Sequence, residues 1–254
     1  AESRAIALAK HLDGVQDGDP RNCPSIFCHT SSRGFTTFTG TLGGVPMSII
    51  SIGMGFPMMD FFVREVRAIV EGPMCVVRFG TCGGLKEDAP EGSVVVVSEG
   101  AVAVLRDPDA FQEEGNTQYY RISKYPAPSD PGLSGAVARE LSSALGAEVV
   151  KLGMNASGDS FYSSQGRFDT QFDDNAHGIL SELRSRYPAV ASMEMETFHL
   201  LDLARCCKTS IKATAASIVV ANRSTGGVVD GPTLSRLESV GGGAVMKALA
   251  STPL

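Results

Sequence analysis

No Cys-x-x-Cys pair occurs in this chain of 254 residues, although it holds six cysteines, Cys23, Cys28, Cys75, Cys82, Cys206 and Cys207. Its four histidines stand apart from them, except for His29 beside Cys28. The ligand spacing of a zinc site is therefore missing. No acidic cluster has the ligand count for a hard cation, so no metal is expected. No apolar run of about twenty residues is present, which argues against a membrane-spanning helix, and no secretory leader is visible. Six thiols without a pairing framework fit a reducing cytosol, and Cys75, in an apolar run, reads as core packing. Positive charge is in deficit: 22 Lys and Arg face 28 Asp and Glu, for a net charge of −6. An acidic chain gains little from a phosphate backbone, so nucleic acid is not an expected partner. A small anion can still be held by a local pocket of arginines. No repeat and no long linker divides the chain, which reads as one domain over residues 1–254.

What is present suits a large core. Hydrophobic residues make up 43% and charged residues 20%, ordinary values for a globular protein. Arg4 to Leu12 reads as a helix, and residues 13–33, rich in Gly, Pro, Asn and Ser, as a connection. Phe35 to Leu42 and Val45 to Ile52 flank Gly43-Gly44 as a hairpin. Met58 to Val70 has helical spacing. Cys75 to Phe79 is a short buried strand followed by a glycine loop over 80–84. Val94 to Val97 is a β-branched run, the mark of a strand covered on both faces, with strand character continuing to Leu105. Residues 106–131 read as a surface excursion. Helices are expected over Gly132 to Leu145, Asn175 to Arg186, Met195 to Cys207 and Pro232 to Ala250, and strands over Glu148 to Asn155 and Ile211 to Ala221. This alternation implies a three-layer α/β/α domain.

Ligands in open α/β sheets bind at strand ends, and four such segments carry unexpected polar residues. Arg78-Phe-Gly-Thr-Cys-Gly-Gly84 joins a two-pronged cation and a hydroxyl to glycines that allow close approach of an anion. The same glycines also suit a plain tight turn. In the Asp159–Arg167 loop, Gln165 and Arg167 stand two apart, so in extended backbone they point the same way. Together they offer donors and an acceptor to a ring edge such as O2, N3–H and O4 of uracil, with Phe161 free to stack on the base. On spacing alone, a solvated surface loop is the better account. Met193-Glu-Met-Glu196 places two carboxylates where an apolar strand meets a helix. They suit vicinal ribose hydroxyls, or a helix N-terminus. Asn222-Arg223 ends the long strand, either over a site or as its first solvated residues.

In their order and spacing these segments, with Gly53-Met-Gly-Phe-Pro57, resemble the nucleoside phosphorylase family over nearly the whole chain, and within it the uridine phosphorylase branch. The resemblance implies a mixed, partly barrel-like central sheet. It implies a pentosyltransferase that splits uridine with phosphate into uracil and ribose 1-phosphate, without a cofactor. Phosphate is then expected on Arg4, Arg33, Arg78 and Thr81. Uracil is expected against Cys82, Gly83, Phe161, Gln165, Arg167 and Arg223, and ribose against Glu194, Met195 and Glu196. Arg78, Gln165 and Arg167 carry the catalytic roles. Relatives donate the counterpart of Arg33 across a dimer interface, which implies a homodimer, in the cytoplasm. Gly18-Asp-Pro20 imitates the family's phosphate motif but follows the first helix instead of preceding it. The family's own motif, and a histidine near the ribose 5′-hydroxyl, are expected before Ala1. Purine-specific relatives place an aspartate near Asn222-Arg223, whereas here Arg223 stands with no aspartate until Asp230. The nucleosidases need an early glutamate base that has no counterpart. A purine phosphorylase and a non-catalytic nucleoside-binding relative are the alternatives.

Overall fold

Three valines in a row show how the sheet is covered. In the computed structural model, which describes residues 1–15 and 18–254, strand β5 runs from Val94 to Arg106. Val94 and Val96 pack outward against helix α3 (Pro131–Leu145) and the C-terminal helix α7 (Gly242–Ser251). Val95, between them, points inward to Cys82, Ala191 and Val219. Both faces of the strand are thus buried, as its β-branched run predicts.

The other strands are β1 (Phe27–Thr30), β2 (Thr36–Leu42), β3 (Val45–Ser51), β4 (Met74–Gly84), β6 (Tyr120–Ile122), β7 (Val150–Gly158), β8 (Val190–Glu194) and β9 (Ile211–Asn222). The first three form a separate antiparallel sheet. The remaining six run in the order β6-β5-β7-β8-β4-β9, and β5 also pairs with β9 antiparallel, so five strands close into a ring. The ring is mixed: β4–β9, β5–β7 and β7–β8 are parallel, and β4–β8 is antiparallel. Helices α2 (Phe56–Ile69) and α5 (Thr197–Cys206) cover the face that presents Val97, Ala213 and Ala215. Helix α4 (Ile179–Arg186) closes a third cluster around Met154 and Met193. Helix α1 (Glu2–Ala9) packs the small sheet onto α7 through Leu8, Phe38 and Met246. The expected α/β/α architecture with a mixed, ring-like sheet is the one observed.

Several local expectations differ. Residues 80–84 are not a loop but the second half of β4, paired along β9 from Gly80↔Ser217 to Gly84↔Asn222. The 13–33 connection contains the edge strand β1, which lacks alternation because it is largely exposed. Gln16 and Asp17 of that connection lie outside the described residues. The 106–131 segment buries Tyr120, Ile122 and Ala127 and supplies β6. The last helix begins as α6 (Gly231–Arg236), capped by the Asp230 carboxylate on the Thr233 N–H, and passes through a π-helical turn over Leu237–Gly241 before α7. Such π turns often mark functional positions.

Gly100 shows what one position contributes to ring closure. It lies in the irregular step of β5 between Val97 and Ala101, at φ +81°, and a Cβ there meets the Ala127 carbonyl oxygen at 2.4 Å. Gly34 has the same φ with open space around it. Gly34→Ala is expected to cost about 1 kcal/mol from the left-handed backbone alone, and Gly100→Ala about 3 kcal/mol because the backbone must also move. Urea unfolding of both variants checks this, and equal losses would contradict it.

Candidate active site

The expected site residues come from four places in the ring. β4 carries Arg78, Thr81, Cys82 and Gly83. The end of β8 and the turn into α5 carry Glu194, Met195 and Glu196. The loop after β7 carries Phe161, Gln165 and Arg167, and the end of β9 leads to Arg223. Two clusters result, with Cys82 between them, within electrostatic reach of Arg78, Glu194 and Arg223.

The first cluster is built around Arg78. Its guanidinium folds back over Gly80, where a Cβ would stand 2.6 Å from Cζ. A Cβ on Gly83 would stand 3.0 Å from Arg223 Nε, and one on Gly84 2.8 Å from Val219 Cγ1 and 2.9 Å from Asn222 Nδ2. None of these three glycines has a positive φ, so they serve close approach and not a turn. Arg78 Nε meets Glu194 Oε2 at 3.1 Å, Nη2 donates to Glu196 Oε2 at 2.6 Å, and Nη1 donates to Ser217 Oγ at 2.7 Å. Burial opposes the Arg78 charge, but Glu194 and Glu196 outweigh it and raise its affinity for the proton.

The two carboxylates differ in what they have left to offer. Glu194 accepts from Asn155 Nδ2 at 2.5 Å, Ser157 Oγ at 2.6 Å, the Glu196 N–H at 2.9 Å and the Thr197 N–H at 3.1 Å, besides Arg78. A carboxylate has about four lone-pair sites, so none remains for a sugar hydroxyl. The expectation that Glu194 holds ribose therefore has no free acceptor behind it. Burial pushes its carboxyl up, yet Arg78 and these donors prevail and hold it below the usual carboxylate range. Glu196 has only Arg78 and the Gly55 N–H, at 2.5 Å. Burial and the neighbouring Glu194 leave its carboxyl raised despite Arg78. Met195 is half-buried, its methyl near Gly55.

The second cluster is short of negative charge. Gln165 is buried, backed by Gly158 at the end of β7. Its Oε1 accepts from Arg223 Nη2 at 2.7 Å, and its backbone carbonyl accepts from Arg223 Nη1. Burial and then Arg167 push the Arg223 guanidinium down to about 10. Arg167 Nη1 donates to the Phe161 carbonyl at 3.0 Å, and its Cζ lies 3.8 Å above the half-exposed Phe161 ring. Burial lowers its pKa as well. Among the described residues no carboxylate acts on either arginine. Gln165 and Arg167 are not in extended backbone: Ser163–Gln165 is a 3-10 turn, and Gly166 at φ +65° separates them.

Two expected phosphate ligands lie elsewhere. Arg4, at the start of α1, is bound by Glu238 of the π turn at 2.8 Å. Arg33 projects from the β1–β2 turn onto α2, 3.1 Å from Glu65 and 4.5 Å over the Phe61 ring. Sequence reasoning missed Ser217, the Gly55 N–H, Glu238, and Asn155, Ser157 and Ser192. The alternation of Asn155 and Ser157 along an otherwise apolar β7 was the available signal. Among the described residues no group of three or more His, Cys, Asp and Glu is placed to hold a metal.

A family model described as the phosphorylase superfamily matches residues 8–247. The uridine phosphorylase of Thermococcus kodakarensis is 30% identical over 217 residues, 82% of this chain and 72% of that protein. That of Klebsiella aerogenes is 27% identical over 212 residues, 82% and 77% respectively. Among solved structures, one from a study of two uridine phosphorylases in the oomycete Phytophthora capsici superposes with a TM-score of 0.88 at 43% identity, covering 99% of this chain and 88% of its own. A Trypanosoma brucei nucleoside phosphorylase superposes with a TM-score of 0.77 at 20% identity, a likeness of fold.

The ion cluster makes a prediction about stability. Arg78→Met leaves two buried carboxylates without their cation and is expected to cost about 3–5 kcal/mol near neutral pH. Without the guanidinium both carboxyls have folded pKa values above their unfolded ones. They therefore cost stability above that range and cease to when protonated. The gap to wild type should narrow as pH falls from 7.5 to 5 in urea unfolding, and a constant gap would contradict the assignment.

Proposed function

The chain belongs to the phosphorylase superfamily, and from that membership we propose that it catalyses the reversible phosphorolysis of uridine to uracil and ribose 1-phosphate. One observation carries this reading. An arginine held by carboxylates lies across Cys82 from an arginine–glutamine pocket on which, among the described residues, no carboxylate acts. Breaking the glycosidic bond makes the sugar cationic and the base anionic, and this polarity matches both.

Phosphate is an anionic nucleophile, so no covalent intermediate is needed. Arg78 and Thr81 hold it below C1′, and no cofactor takes part. Positioning of this kind can lower a barrier by roughly 7–11 kcal/mol. Glu196, with two lone-pair sites open, accepts the ribose 2′- and 3′-hydroxyls, and Met195 packs against the sugar. Gln165 reads the uracil edge together with Arg167, and Phe161 stacks on the base. Arg223 orients Gln165 and adds positive charge where the leaving base gains its negative charge, near Gly83 and Cys82. Glu194 serves from behind, on Arg78.

Arg33 is exposed and turned onto α2 by Glu65 and Phe61. That placement supports a homodimer in which Arg33 completes the phosphate site of the neighbouring subunit. Among the described residues no helix is long and apolar enough to cross a membrane, and the free cysteines suit a cytoplasmic setting.

Purified protein should release uracil from uridine only when phosphate is supplied. Equal release without phosphate, or release of base from inosine but not uridine, would contradict the reading. Arg167→Ala and Gln165→Ala should each lower kcat/KM for uridine by about 10²–10³, and an unchanged value would remove that residue from the base pocket.

A further inference from the structure

The side of Glu194 facing away from Arg78 is occupied by a closed set of polar groups that the reaction as described does not use. Asn155 and Ser157 on β7 and Ser192 on β8 are each 0% exposed. Burying three polar side chains together is unfavourable unless their hydrogen bonds are met. Here they are. Asn155 Nδ2 donates to Glu194 Oε1 at 2.5 Å and to Ser157 Oγ at 3.0 Å, and its Oδ1 accepts from Ser192 Oγ at 2.8 Å. Ser157 Oγ donates to Glu194 Oε1 and accepts the Phe198 N–H at 2.9 Å. Ser192 thereby fixes which way the Asn155 amide faces. The amide and Ser157 occupy Glu194 Oε1, which leaves Oε2 for Arg78 Nε and the Glu196 N–H.

We propose that Asn155 is a positioning residue for phosphate binding: it sets the orientation of Glu194, and through it the guanidinium of Arg78. This rests on the phosphorolysis reading above. Asparagine suits the position and aspartate does not. A carboxyl at 155 would face Glu194 Oε1 at hydrogen-bond distance, and two carboxylates that close cannot both ionise without repulsion. The charged or titratable groups facing Glu194 are Arg78 and Cys82 from β4 and Glu196 from the turn before α5, while β7 and β8 contribute only neutral groups. Burial pushes the Cys82 thiol up to about 12, so it stays neutral throughout the range of the test.

The test is the phosphate KM of Asn155→Asp at pH 6 and pH 8.5, with wild type in the same buffers. At the lower pH the introduced carboxyl shares a proton with Glu194 and donates to it as the amide did. At the higher pH both ionise, Glu194 is displaced, and Arg78 loses its rear anchor. The ratio of variant to wild-type KM for phosphate should rise about tenfold between the two values, with the uridine ratio changing less than about twofold. A phosphate ratio that is the same at both pH values overturns the proposal. Wild-type protein that releases uracil without phosphate overturns the phosphorolysis reading and the proposal with it, so the two failures are distinct. Should Asn155→Asp be unfolded by circular dichroism, Ser192→Ala carries the test, since it removes only the donor that orients the amide. A phosphate KM raised about threefold in folded protein supports the proposal, and an unchanged one overturns it.

Discussion

A buried guanidinium between two carboxylates is the constraint on which the rest of this structure depends. Arg78 joins β4 to the β8–α5 turn through Glu194 and Glu196 and to β9 through Ser217. An isolated charge at this depth would be prohibitively costly, so the three elements must stay in register for it to be satisfied. The same contacts hold the guanidinium over Gly80 of β4, on the sheet that also leads to Gln165 and Arg223.

The asymmetry of the two carboxylates is the chemical content of the cluster. Glu194 is saturated by backbone and side-chain donors and kept ionised, so it acts as a fixed anchor. Glu196 keeps open lone pairs and a raised proton affinity. Across Cys82 the balance is reversed, since among the described residues no carboxylate acts on Arg223 or Arg167. A heterolytic reaction needs such a gradient from one end of the scissile bond to the other.

Much of this was legible in the sequence, for identifiable reasons. The β-branched run at Val94–Val97 announced a strand buried on both faces, and the helix expected over Gly132 to Leu145 is α3, one residue longer at its start. Motif order grouped Arg78, Gln165, Arg167, Glu196 and Arg223, and the structure pairs Arg78 with Glu196 and Gln165 with Arg223. What could not be read was the reason for the glycines. Gly80, Gly83 and Gly84 look like a loop because local pattern cannot distinguish a turn from room made for side chains lying across a strand. The spacing of Gln165 and Arg167 suggested extended backbone, and only the left-handed Gly166 shows that it is not. Glu194 and Glu196 are equivalent in sequence. They diverge because Asn155 and Ser157, distant along the chain, bond to only one of them, with Ser192 orienting the Asn155 amide.

The most direct test of the account is a crystal structure of the protein with phosphate and uridine, or with ribose 1-phosphate and uracil. Arg78 should retain its contact with Glu194 while binding phosphate, and Glu196 should turn to the ribose hydroxyls, with uracil against Gln165 and Arg167. Phosphate bound away from Arg78, or ribose hydroxyls held by Glu194 in place of Glu196, would contradict it.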